Sequence, residues 1–270
     1  MTNPSPRLPT VFISHGGGPW PWMPAAAPVY AQLTDELRRL PSLWPTARAI
    51  VMVSAHWEAP RFTVQGAAQP GMIYDYYGFP PDTYQIHYRS PGDPALAQRV
   101  AMLLAGAGLP ASIDPERGYD HGMYSPMQVM YPRAQLPTLQ LSLREGLDPE
   151  QHLALGRALA PLRDEGVLLI GSGLSYHNLR HFGPDGAAAS ATFDQWLGDT
   201  ATLTGEARNQ RLRGWAQAPA ARLAHPREEH LLPFMFAAGA AENEAAVRTY
   251  HQRDFRGGLT VSNFVFGLPA

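Results

Sequence analysis

Ten histidines and no cysteine set the terms of what this chain can do. Without a thiol there is no disulfide, no thiolate metal site and no cysteine nucleophile. Neutral imidazole is a common ligand for iron, zinc and copper, and it titrates near neutral pH. A cluster of histidines can therefore hold a metal and move protons together. Three of the ten follow short apolar runs: His15 in VFISH, His56 in VMVSAHW, and His177 just past Val167 to Gly171. In open α/β sheets, ligands bind outside the carboxyl ends of the strands. These three rings are expected to meet in one crevice. His230, in HPREEHLLPF, precedes an apolar run that can start a helix. Beside it, Glu228 and Glu229 are either carboxylate ligands or acidic residues favoured at a helix N-terminus.

The Asp120-His121 pair lies in GYDHGMYSP. Such an aspartate can accept from one ring nitrogen and fix the tautomer of a working histidine; it can equally be a turn residue. Gly118 and Gly122 favour a tight, shaped loop there. His87, His152, His181, His225 and His251 have plain contexts and are expected to be structural or solvent-facing. His15-Gly16-Gly17-Gly18 resembles the oxyanion loop of some esterases, but a Gly-x-Ser-x-Gly elbow is missing. Gly171-Ser172-Gly173-Leu174-Ser175 has the wrong order. No phosphate-binding glycine motif and no HExxH occurs. Trp20, Trp22, Trp57, Tyr74, Tyr76, Tyr77, Tyr119, Tyr124 and Tyr176 fall in the same regions as the histidines. They suit core packing, or a flat aromatic substrate.

The elements that must position these groups are legible as patterns. Thr10 to Ser14, Ala49 to Ala55, Thr138 to Leu143, Val167 to Gly171 and Leu259 to Phe266 read as strands, most of them buried on both faces. Helical stripes run over Pro28 to Leu40, Asp93 to Ala107 and Asp148 to Asp164, the last two opening on Asp then Pro. Phe193 to Leu203 and His230 to Ala241 are further helices. The alternation predicts an α/β fold, a mostly parallel central sheet flanked by helices. With 270 residues and 45% hydrophobic content, one catalytic domain over 1–270 is expected. Pro60 to Pro91 reads as a long irregular excursion, a hairpin and a lid, and Ala216 to Arg227 as a second connection. The net charge is -2 and Lys and Arg are scattered, so no nucleic-acid partner is expected. No apolar run approaches the roughly 18 residues of a membrane span, and the first residues lack a signal peptide pattern. A cytoplasmic location is the expectation, and the oligomeric state is open.

Several stretches occur in one order over nearly the whole chain. They are SHGGGPW, VMVSAHW, GFPPDTY, HYRSPGDPALAQRV, GYDHGMYSPM with MYP after it, PTLQLSL, RDEGVLLIGSG with HNLR, and PREEHLLP. The ordered set resembles the class III, LigB-type extradiol ring-cleavage dioxygenases, in particular their DOPA 4,5-dioxygenase-like branch. The triglycine after His15 departs from the HGSP-like sequence usual in that family.

The resemblance implies a non-haem enzyme that opens a catechol ring with dioxygen, using Fe(II), with Zn(II) often found in the same site. It implies His15, His56 and His230 as metal ligands. His177 would be a metal neighbour and the acid-base residue. His121 would be a second catalytic group that holds or protonates the substrate. Asp120, Tyr176 and Trp20 are expected to contact the substrate, and Glu229 is the alternative third ligand. A zinc-dependent hydrolase or lyase on the same histidines, or a non-enzymatic relative of the fold, are the other readings.

Overall fold

In the computed structural model, which describes residues 7–268, the apolar runs become strands of one eight-stranded sheet. The strands are β1 (Thr10–Ser14), β2 (Ala49–Ala59), β3 (Thr63–Gln65), β4 (Ser112–Asp114), β5 (Thr138–Arg144), β6 (Val167–Gly173), β7 (Ala246–Phe255) and β8 (Leu259–Phe266). Their order is β4-β3-β5-β2-β6-β1-β8-β7. The central four, β5-β2-β6-β1, are all parallel. β8 returns antiparallel beside β1, and β7 pairs with it as the outer edge. At the other edge, β3 runs parallel to β4 and antiparallel to β5. β1 and β6 are buried at every position, as their largely apolar sequences suit.

The helices are α1 (Ala27–Arg39), α2 (Pro94–Gly106), α3 (His121–Met130), α4 (Pro149–Leu159), α5 (Ala187–Ala201), α6 (Gly205–Arg213), α7 (Ala221–Ala224) and α8 (Leu232–Ala240). Asp93 and Asp148 cap α2 and α4, their side chains accepting from the backbone N–H of Leu96 and Gln151. α8, LPFMFAAGA, is buried throughout and packs on α4 and β6. Helices and sheet form a single α/β domain. Among the described residues, no helix is long and apolar enough to cross a membrane.

Several boundaries differ from the sequence patterns. β2 continues to Ala59, so His56 lies within the strand. It sits where the pairing with β5 shifts register between Val53 and Glu58. β6 likewise runs on to Gly173, and α5 begins earlier than expected, at Ala187. GYDHGMYSPM is not a loop after Asp120: His121 starts α3, which tolerates an internal Pro126 because nearly every residue is buried. Tertiary packing outweighs local propensity there. β7 shows no apolar run in the sequence because its charged residues suit a half-exposed edge strand. Pro60 to Pro91 forms no hairpin; β3 pairs with β4 and β5 instead, and a bridge joins Met72 to Tyr119.

Candidate metal centre

Each histidine of the centre arrives on a different piece of the fold. His15 follows β1, where its N–H bonds Gly173 O at 3.1 Å. Its own carbonyl accepts from Trp20 Nε1 at 2.8 Å. The next residue, Gly16, has φ +78°, a conformation that side chains resist. His56 comes from β2 and His121 from the first position of α3. His230 precedes α8, and its carbonyl is bonded by Leu174 N at 3.1 Å. That carbonyl lies against β6 because Gly173 has no side chain; a Cβ there would fall 2.2 Å from His230 O. His177, past the end of β6, is held by its N–H to Ala224 O at 3.0 Å.

The rings of His15, His56 and His230 form a near-equilateral group, with centroids 4.8, 4.9 and 5.2 Å apart. Nε2 of His56 and Nε2 of His230 are 3.3 Å from each other. Two ligands about 2.1 Å from one ion leave a gap of that size between them. His121 packs against His56 at 4.0 Å and His15 at 5.3 Å, and His177 stacks on His230 at 3.4 Å. Donor atoms of His15, His56 and His121 lie within 4.8 Å of one another, and so do those of His177, Glu229 and His230.

Two carboxylates organise these rings. Glu229 Oε1 is 3.0 Å from His177 Nδ1 and 2.9 Å from His230 Nδ1. Asp75 Oδ2 is 2.9 Å from His121 Nδ1 and 3.5 Å from His56 Nδ1. Arg227 stands 3.6 Å from the other oxygen of Glu229 and is itself paired with Glu58. An ionised carboxylate only accepts, so His177 and His230, bonded to Glu229 through Nδ1, carry the proton there when neutral and keep the lone pair on Nε2. His15 has no such partner: both of its ring nitrogens are buried and unbonded.

Burial, then the positive potential of neighbouring histidines, holds His15 and His230 well below the usual imidazole range. For His56, burial and His121 do the same against the opposing pull of Asp75. Burial, the largest single influence, would raise the Glu229 carboxyl, but the hydrogen bond from His177, a backbone N–H and the charges of His177 and Arg227 together outweigh it and the net shift is down. Asp75 likewise resists its burial through His121 and stays below the usual carboxylate range. Neutral rings beside two ionised carboxylates make a negative pocket that favours a divalent cation.

Five of the expected site residues, His15, His56, His121, His177 and His230, thus meet in one place. The three expected substrate contacts do not present free polar groups there. Asp120 is fully buried, its carboxylate held by Ser54 Oγ at 2.8 Å and Arg117 Nη2 at 3.1 Å. Burial and the charge of Asp75 raise its carboxyl pKa. Tyr176 is buried and donates its hydroxyl to His181 O at 2.9 Å. Trp20 stacks on Tyr30 at 4.5 Å and props the backbone of His15. These side chains satisfy their polar groups internally, as buried ones must. Asp75 was missed altogether; only its place between Tyr74 and Tyr76, in an irregular stretch, pointed to it. Tyr76 does stand by the centre, 6.1 Å from His121. A cavity of about 600 Å³ lined by Met72, Tyr74, His87 and Tyr88 among others lies beside the same stretch and includes none of the five histidines. His152 and His225 are buried structural residues, bonded to Asp148 O and Ser175 O.

Comparison with known proteins converges on one family. The model of the catalytic LigB subunit of aromatic ring-opening dioxygenase matches residues 9–266. A 4,5-DOPA dioxygenase extradiol from Beta vulgaris is 40% identical, over 95% of this chain and 96% of its own. The dioxygenase tasH of Hapsidospora irregularis is 38% identical, over 90% of this chain and 81% of its own. Among solved structures, an uncharacterized protein from Escherichia coli K12 superposes with a TM-score of 0.78. It is 30% identical, over 97% of this chain and 100% of that one.

Proposed function

The chain belongs to the LigB family of aromatic ring-opening dioxygenases, and from that premise we propose that it opens a catechol-type, DOPA-like ring with dioxygen at the histidine centre. The single observation that carries this reading is His15. Both of its ring nitrogens are buried and unpartnered, and its ring centroid lies 4.8 and 5.2 Å from those of His56 and His230. A buried polar group without a partner is costly unless something else binds it. His15, His56 and His230 are the residues that would hold a metal, and Glu229 serves them by fixing the tautomer of His230 rather than as the third ligand. Fe(II) is the catalytic metal in this proposal, with Zn(II) accepted by the same donors. Bound Fe(II) supplies the redox link between catechol and dioxygen, which Zn(II), without an accessible second oxidation state, does not.

The chain's own residues handle protons and orientation. With Nδ1 tied to Glu229, His177 keeps Nε2 as a base for a phenolic hydroxyl, and Glu229 stabilises the resulting imidazolium. His121, beside Asp75, offers its other nitrogen to the substrate's second hydroxyl, where it can take that proton and return it as the ring opens. Tyr76 beside His121 supplies an aromatic wall. The whole of 1–270 serves as one catalytic domain in this reading, which works in the cytoplasm.

The test is anaerobic reconstitution with Fe(II), followed by oxygen consumption across DOPA, protocatechuate and caffeate. Uptake of one O2 per catechol, with a ring-opened semialdehyde product and no uptake by Zn(II)-loaded protein, is expected. Absence of uptake together with metal-dependent ester or amide hydrolysis would replace this reading with a zinc hydrolase.

A further inference from the structure

Asp75 lies outside the strand and helix framework, yet three of its contacts go to the centre. Its Oδ1 accepts the backbone N–H of His121 at 2.9 Å. Its Oδ2 stands 2.9 Å from His121 Nδ1 and 3.5 Å from His56 Nδ1. The stretch that carries it is stitched to the segment entering α3. Ile73 N bonds Tyr119 O at 2.7 Å, and Tyr119 N bonds Gly71 O at 2.8 Å. On either side of Asp75, Tyr74 and Tyr76 donate their hydroxyls to Ile86 O and Thr83 O, at 2.8 and 2.6 Å. The carboxylate is therefore held in place from both flanks.

We infer that Asp75 is a positioning residue that sets the tautomer and ring orientation of His56 and His121 together. Neither ring contact is a directed hydrogen bond, His121 Nδ1 being buried without one, but a carboxylate has no proton to give, so its charge at 2.9 and 3.5 Å favours the proton on each Nδ1 that faces it and leaves each Nε2 unprotonated. For His56 this is the nitrogen 3.3 Å from His230 Nε2. The arrangement mirrors Glu229 across the site, which bridges His177 and His230. One carboxylate thus serves one metal-facing ring and one proton-handling ring on each side. The inference rests on the reading of His56 as a metal ligand, and one experiment separates the two.

Wild-type, Asp75→Asn and His56→Ala proteins are compared for Zn(II) and Co(II) affinity by competition with a chromogenic chelator. ¹⁵N spectra of histidine-labelled apoprotein report the tautomers, with His56→Gln and His121→Gln supplying the assignments. Asp75→Asn is expected to weaken metal binding about 10- to 100-fold, the usual scale for groups that orient ligands, with an unchanged circular dichroism spectrum. His56→Ala should lose the metal. In wild-type protein, His56 and His121 should both carry the proton on Nδ1, and in Asp75→Asn that preference should disappear. If His56→Ala keeps full affinity, the ligand reading fails. If His56→Ala loses the metal while Asp75→Asn binds within twofold of wild type, the inference about Asp75 fails. It fails equally, without any variant at Asp75, if wild-type His56 and His121 carry the proton on Nε2.

Discussion

Replacing Gly173 by alanine puts the geometry of the centre to a direct test, at a residue with no side chain and outside the proposed ligand set. The new Cβ would stand 2.2 Å from the carbonyl oxygen of His230. Carbon and carbonyl oxygen sit comfortably at roughly 3.3 Å, so the two segments must part by about 1 Å. Neither is free to yield: Gly173 is the last residue of β6, and His230 O already bonds Leu174 N at 3.1 Å. The displacement falls on His230, whose Nε2 stands 3.3 Å from that of His56. Overpacking of this kind costs about 1–3 kcal/mol. At about 2–4 °C per kcal/mol for a chain of this size, Tm should fall by about 2–12 °C. A misplacement of about 1 Å costs about a hundredfold in rate, so oxygen uptake should drop further than stability does. Differential scanning fluorimetry, metal stoichiometry and initial rates of oxygen consumption read the three effects. Gly106→Ala, where a Cβ meets nothing within 4 Å, is the control and should change none of them adversely. Wild-type Tm, metal content and rate in Gly173→Ala would show that the backbone of His230 does not depend on the missing side chain.

Other expectations concern single groups. His15→Ala should abolish metal binding, because both nitrogens of that ring have no other partner; full stoichiometry by elemental analysis would contradict it. His177→Ala should keep the metal and lose about a hundredfold or more in turnover, the scale of a general acid-base residue, and a near-normal rate would remove it from the mechanism. Burial depresses His152 to about 4 and His225 to about 3, in each case against a hydrogen bond that raises it. Because the folded values lie below the unfolded value of about 6.5, the unfolded chain binds more protons in that interval. Stability is then complete above about pH 6.5 and falls with pH by about 1.4 kcal/mol per unit for each such histidine. The urea midpoint should decline between pH 7 and 5, before unfolded carboxylates titrate near 4; a flat midpoint over that window would refute it.

Local chemistry alone determined a good deal about this protein. Continuous apolar runs such as Val167 to Gly171 can be satisfied only in a covered parallel strand, so the α/β class and the central strands were readable. Asp followed by Pro marked the starts of α2 and α4, because capping and a preset φ are properties of adjacent residues. His15 and His177 stood where strands end, and the ordered motifs pointed to the family. Only the tertiary structure decided how the rings are aimed. Asp75 reaches His121 across 46 residues, and Glu229 reaches His177 across 52. No periodicity encodes such a pairing; it exists because separate segments pack side by side. The same packing made a helix of GYDHGMYSPM and turned Asp120, Tyr176 and Trp20 inward, since a buried polar group takes whichever partner the surrounding backbone offers.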